Sequence, residues 1–195
     1  MNKESNVKSV MIVGVGGQGT LLASRILGNV AVSGGYDVKL SEVHGMAQRG
    51  GSVVTYVKYG KKVYSPVIVE GSADVILSFE ELEALRYLPY LKEGGTLIVN
   101  TQQIDPMPVI TGAASYPQDI VSQLREKSIH VIAVDALSLA HEAGNIKAVN
   151  VVLLGVMAQT SEIGKEAWLR ALEATVPARF LDVNRKAFAL GYGVK

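Results

Sequence analysis

Between Glu42 and Gly51 the chain runs E-V-H-G-M-A-Q-R-G-G, which gathers a carboxylate (Glu42), an imidazole (His44), a carboxamide (Gln48) and a guanidinium (Arg49) ahead of the pair Gly50-Gly51. A guanidinium pairs bidentately with a carboxylate or phosphate, and an imidazole and an amide can hydrogen-bond a substrate or coenzyme. The glycine pair lets backbone approach a ligand closely. Upstream, Gly14-Val15-Gly16-Gly17-Gln18-Gly19 fits GxGxxG spacing through Gly14, Gly16 and Gly19. There glycine permits a tight turn, and a phosphate can sit over free N–H groups at a helix start. Gln18 leaves less room for a pyrophosphate than a smaller residue would. Glu42 falls about where a dinucleotide fold places its ribose-binding carboxylate, although His44 and Arg49 do not belong to that pattern.

Elements of suitable period surround both segments. The apolar run 10–13 reads as a strand entering the glycine turn, and Leu22, Ile26 and Val30, flanked by Ala23, Leu27 and Ala31, form the stripe of a following helix. Gly34-Gly35 ends it, and residues 36–40 read as a second strand. Both glycine segments then lie beyond the carboxyl ends of strands and should border one crevice. Residues 52–58 are β-branched and aromatic, and a turn at 59–62 before Val63-Tyr64 predicts a β-hairpin, either an edge or a platform for a partner.

Further on, residues 73–79 read as a buried strand. Residues 80–91 follow as a helix with Glu80, Glu81 and Glu83 in its first turn, where the helix dipole favours them, and with Pro89 bending or ending it. Gly94-Gly95 reads as a stop before a strand at 96–100. Residues 101–117 read as a long loop, Pro117 as the start of a helix reaching about Lys127, and 130–135 as a strand. Segments 136–143, 148–160, 165–175 and 178–190 have helical spacing or composition, with Asn150 as a cap. The expected architecture is α/β: a Rossmann-like open sheet, mostly parallel with a β-hairpin, helices on both faces and a helical C-terminal segment. Length makes residues 1–195 one domain.

Bulk properties exclude several functions. Lys and Arg number 19 against 18 Asp and Glu, with no basic cluster, so no nucleic-acid track is expected. Apolar residues make up 48% and charged residues 19%, and a mean hydropathy of +0.24 points to apolar surface that meets a partner. Cysteine is absent, which excludes disulfides, thiolate nucleophiles and cysteine-ligated iron–sulfur clusters in this chain. The polar start MNKESNVKS and the brevity of the apolar runs at 10–13 and 151–158 predict neither a signal peptide nor a membrane span, hence a cytoplasmic protein. His130 and His141 read as solvated or satisfied in the core, and no His/Asp/Glu spacing predicts a metal site.

The pairing of GVGGQG with SEVHGMAQRGGSV resembles the gamma-type subunits of 2-oxoacid:ferredoxin oxidoreductases, in particular the small beta subunits of indolepyruvate ferredoxin oxidoreductases. The likeness extends over most of the chain, through Gly94-Gly95, a strand end near Asn100 and the run NVVLLG from Asn150. It implies one component of a thiamine diphosphate enzyme that decarboxylates a 2-oxoacid, passes electrons through iron–sulfur clusters to ferredoxin and hands the acyl group to coenzyme A. This chain has no GDG…N motif and no cysteine, so the resemblance implies that thiamine diphosphate, magnesium and the clusters reside on a larger partner subunit. It also implies that the chain is inactive alone and closes one side of the active site. On this reading the chain supplies no catalytic residue, and Gly14, Gly16, Gly17, Gln18, Gly19, Glu42, His44, Gln48, Arg49, Gly50 and Gly51 form the cofactor-facing set, with coenzyme A as a candidate ligand. Two other readings stay open: a free-standing NAD(P)-dependent dehydrogenase, motivated by GxGxxG and Glu42, and a coenzyme-binding interaction module without chemistry of its own. Whether the isolated chain forms a homodimer is open too.

Overall fold

The computed structural model describes residues 7–45, 50–127 and 129–194. Strand β1 (Lys8–Val15) is buried along nearly its whole length, as a central strand covered on both faces must be. It feeds helix α1 (Thr20–Ser33), and strands β2 (Asp37–His44), β3 (Ser52–Gly60) and β4 (Ala73–Ser78) follow. Then come α2 (Glu81–Tyr87), β5 (Leu91–Asn100), α3 (Met107–Ile110), α4 (Ile120–Arg125) and β6 (His130–Val134), and the chain closes on α5 (Ala136–Ala143), α6 (Val149–Thr160), α7 (Lys165–Thr175) and α8 (Leu181–Tyr192).

The strands form one six-stranded sheet of order β2-β3-β1-β4-β5-β6. β1, β4, β5 and β6 are mutually parallel, while β3 runs antiparallel to both its neighbours, β1 and β2. The sheet is therefore mostly parallel, with helices on both faces and a helical C-terminal region, as expected. Alternation along the strands assigns the faces. Val10 and Ile12 of β1, with Val57, Leu77 and Ile98, point to α1 and to α5 through α8. Met11 and Val13, with Val54, Ile76 and Leu97, point to α2 and α4. α6 is buried on all sides, and its Val151, Val152, Leu153, Leu154 and Val156 each stabilise the fold by about 1.5–3 kcal/mol relative to exposure. It lies against α8 so closely that a Cβ on Gly155 would come 2.3 Å from the Phe188 carbonyl, and one on Gly191 would come 1.9 Å from that of Val152.

The structure differs from the sequence reading at several points. The hairpin pairs β3 with β2, not with Val63-Tyr64. The Val63 N–H is taken by the Asp37 carboxylate at 2.9 Å, Pro66 can donate to no ladder, and residues 61–72 form a strap instead. The helix expected to reach residue 91 stops at Tyr87 and tightens into a 3-10 turn, Leu88–Tyr90, around Pro89. β5 begins directly after it, and Gly94-Gly95 falls in an irregularity of that strand rather than ending the helix. The segment after Pro117 becomes helical only at Ile120, because Asp119 sits at φ 53°. Asn150 is the second residue of α6 rather than its cap, and faces the glycine turn.

Candidate functional site

The glycine turn stands at the carboxyl end of β1. Gly17 and Gly19 adopt φ of 106° and 87°, a region where a Cβ is strained. At Gly19 space is short as well: the Asn150 Nδ2 donates to its carbonyl at 3.3 Å and would lie 2.6 Å from a Cβ. The Gln18 side chain folds back over the strand ends. Its Oε1 accepts the Val15 N–H at 2.8 Å, and its Nε2 donates to the Phe79 carbonyl at 3.0 Å and to Gln102 Oε1 at 3.2 Å. One carboxamide thus joins the ends of β1 and β4 to the segment after β5, and it needs Gly14 beneath it, since a Cβ there would meet Gln18 Oε1 at 2.8 Å.

The second glycine segment meets the first directly. Gly16 donates to the Gly51 carbonyl at 2.9 Å, and the Gly50 N–H returns a bond to the Gly16 carbonyl at 3.3 Å. Gln48 and Arg49 lie outside the described residues. Glu42 and His44 are on β2, which continues through what the sequence reading had as the start of a loop. Glu42 is opposite Thr55, itself opposite Ile12, and His44 is opposite Val53, itself opposite Gly14. Two strand spacings, about 10 Å, therefore separate each from β1. Thr55 Oγ1 donates to Glu42 at 3.4 Å, and the exposed His44 Nδ1 is 3.0 Å from the Gly45 carbonyl. A ribose-binding carboxylate belongs on the strand beside β1. Here β3 occupies that place, and Glu42 stands one strand further from the glycine turn.

Sequence reasoning assigned Glu80, Glu81 and Glu83 only to the helix dipole, yet all three are buried and each ties down a loop bordering the crevice. Glu80 caps α2 by accepting the Glu83 N–H at 2.9 Å, and it also accepts the Ile104 N–H at 3.1 Å and the Tyr116 hydroxyl. Burial, and then the Glu80 carboxylate it donates to, raises the Tyr116 hydroxyl far above tyrosine's ordinary value. Glu81 accepts from Gln103 Nε2 at 2.9 Å and donates its N–H to the Gln102 carbonyl at 3.1 Å. Glu83 accepts from the Ser52 hydroxyl and from Arg86 Nε at 3.1 Å. Asn100, fully buried, donates to the Phe79 carbonyl at 3.0 Å and accepts the Ala136 N–H at 3.1 Å. Apart from the Glu80–Glu83 and Glu83–Arg86 bonds, these partners are distant in sequence, so local pattern held no sign of them beyond an unusual density of acids and amides near strand ends.

A cavity of about 450 Å³ opens beside the turn, among Gly17, Gln18, Gly19, Gln102, Leu137 and Lys147. The N–H groups of Gly17 and Gly19 have no acceptor among the described residues. A larger cavity of about 800 Å³ lies at the amino ends of the strands, where Asp74 accepts from Ser9 N–H at 2.7 Å and from Lys92. It includes Tyr59, whose hydroxyl is pushed up to about 12 by burial and then by Asp74, and it touches neither glycine segment. No group of three or more His, Cys, Asp or Glu able to hold a metal occurs among the described residues. No helix there is long and apolar enough to cross a membrane.

Residues 9–194 match the family model described as pyruvate ferredoxin/flavodoxin oxidoreductase. The chain belongs to this family. It is 46% identical over 188 residues to indolepyruvate oxidoreductase subunit IorB of Thermococcus kodakarensis, covering 94% of this chain and 93% of that one. The same subunit of Pyrococcus horikoshii gives the same identity and coverage. Among solved structures, the gamma subunit of a keto/oxoacid ferredoxin oxidoreductase from Geobacter sulfurreducens superposes with a TM-score of 0.71 at 26% identity, covering 95% of this chain and 96% of that one. The inserted β3 places the second glycine segment against the first.

Proposed function

We propose that the chain is the small, gamma-type subunit of an indolepyruvate-type 2-oxoacid:ferredoxin oxidoreductase of the cytoplasm, and that its crevice holds coenzyme A for the acyl-transfer half of the reaction. The near full-length identity of 46% to an indolepyruvate oxidoreductase subunit carries this reading. Thiamine diphosphate, magnesium and the iron–sulfur clusters belong to the larger partner, because this chain has neither a GDG…N motif nor the cysteines that would ligate a cluster. Electrons leave for ferredoxin through that partner.

For coenzyme A the residues present do fit. The N–H groups of Gly17 and Gly19, without an acceptor among the described residues, suit an anion as those of a helix N-terminus do, and Lys147 lines the same cavity. To Gly50 and Gly51, hydrogen-bonded to Gly16, we assign the adjoining wall; His44, Gln48 and Arg49 join this set on sequence grounds. The chain's own work is to bind and orient the acyl acceptor and to exclude water from it. Steady-state kinetics of the complex with Lys147→Ala test this: a raised KM for coenzyme A, at unchanged KM for the 2-oxoacid, is expected, and unchanged constants for both would contradict it.

A further inference from the structure

We propose that Glu83 is a positioning residue that, through Ser52, holds Gly50 and Gly51 against the glycine turn and so sets the wall on which the acyl acceptor lies. The inference rests on the coenzyme A reading of that wall. Glu80 and Glu83 have the spacing of a capping box, in which the second acid reaches back to the N-terminal backbone of its own helix. Glu80 does its half, accepting the Glu83 N–H. The Glu83 side chain turns away instead, and from a position only 4% exposed it accepts the Ser52 hydroxyl on one oxygen and Arg86 on the other. The Tyr87 hydroxyl lies 3.3 Å from the same serine oxygen.

Ser52 is placed to transmit this hold. It follows two glycines that have no side chain to pack, one of them at φ 76°, and no atom comes within 4 Å of where a Gly50 Cβ would be. Among the described residues, Ser52 is thus the first side-chain anchor after Gly45. Its neighbour Gly51 accepts the Gly16 N–H, and Gly50 donates back. On the other side Gln18 reaches Gln102, whose carbonyl accepts the Glu81 N–H. The first turn of α2 therefore closes a ring of bonds around the glycine turn, and Glu83 makes the link that runs through the second glycine segment.

The test uses the complex with its partner subunit, varying coenzyme A at saturating 2-oxoacid, with hydrogen exchange followed over residues 14–19 and 50–56. Ser52→Ala is expected to raise the KM for coenzyme A about tenfold at nearly unchanged kcat, and to speed exchange in both segments. Ser52→Thr, which keeps the hydroxyl on a strand-compatible residue, is expected to restore both. Glu83→Gln is expected to fall between. Wild-type KM and exchange in both Ser52→Ala and Glu83→Gln would overturn the proposal, as would an equal fall of kcat in the two serine variants at constant KM. Faster exchange in Ser52→Ala, with a KM for coenzyme A that neither Ser52→Ala nor Lys147→Ala moves, would retain the ring but overturn its role in the acceptor site together with the coenzyme reading. Unmoved exchange, with a KM that only Lys147→Ala raises, would overturn the positioning role alone.

Discussion

The Gly16 N–H lies 2.9 Å from the Gly51 carbonyl, so two glycine segments from different strand ends share one hydrogen-bonded junction. That contact exists because β3 returns antiparallel alongside β1, with Ser52 opposite Val15.

Substitutions in the turn should separate conformational cost from crowding. Gly17→Ala meets no atom within 4 Å and costs only its positive φ, about 1–2 kcal/mol. Gly19→Ala adds a contact of 2.6 Å with the Asn150 amide and should cost more. Urea denaturation of the two variants checks the order, and equal midpoints would contradict it.

Gln18→Glu is expected to destabilise the chain by about 1–3 kcal/mol, since a carboxylate cannot donate to the Phe79 carbonyl or Gln102 Oε1. Gln18→Ala should cost a similar amount by leaving the Val15 N–H and Phe79 carbonyl without this partner. Thermal melts decide the matter, and a wild-type Tm in both would refute the bridging role of this amide.

Tyr59 gives an alkaline signature. Its hydroxyl is pushed up to about 12 by burial, whereas an unfolded tyrosine ionises near ~10. Across that window the unfolded chain binds fewer protons than the folded one, so stability, complete below the unfolded value, falls as pH rises towards the folded value. Tyr116 titrates in the same direction. Urea midpoints at pH ~9 and ~11 should differ less for Tyr59→Phe than for wild type, and an undiminished difference would contradict the assignment.

The α6–α8 contact has no room for a side chain at Gly191, where a Cβ would come 1.9 Å from the Val152 carbonyl. Gly191→Ala should therefore destabilise by about 3 kcal/mol, more than Gly17→Ala. Denaturation again measures it. An unchanged midpoint would mean that the two helices separate readily.

Much of this fold was legible because its signals are local. The β1–turn–α1 unit follows from an apolar run, glycines at fixed spacing and a helical stripe from Leu22 to Val30, and the C-terminal helices follow from their period and glycine breaks. The meeting of the glycine segments followed from the rule that ligands gather beyond strand carboxyl ends. What escaped depended on distant pairing. β3 reads as a strand from its own residues, but nothing in them says that it inserts between β1 and β2, or that Glu42 is thereby carried away from the turn. Similarly, Glu83 looks like a dipole acid until Ser52, 31 positions away, is placed beside it.

The most direct measurement is coenzyme A- and 2-oxoacid-dependent dye reduction by this chain alone, by the larger subunit, proposed to carry thiamine diphosphate and the clusters, alone, and by the two co-purified. Turnover only in the co-purified complex, with arylpyruvates among the substrates, is the predicted result. Full turnover by the larger subunit alone, or NAD(H) binding and hydride transfer by this chain alone, would contradict the account.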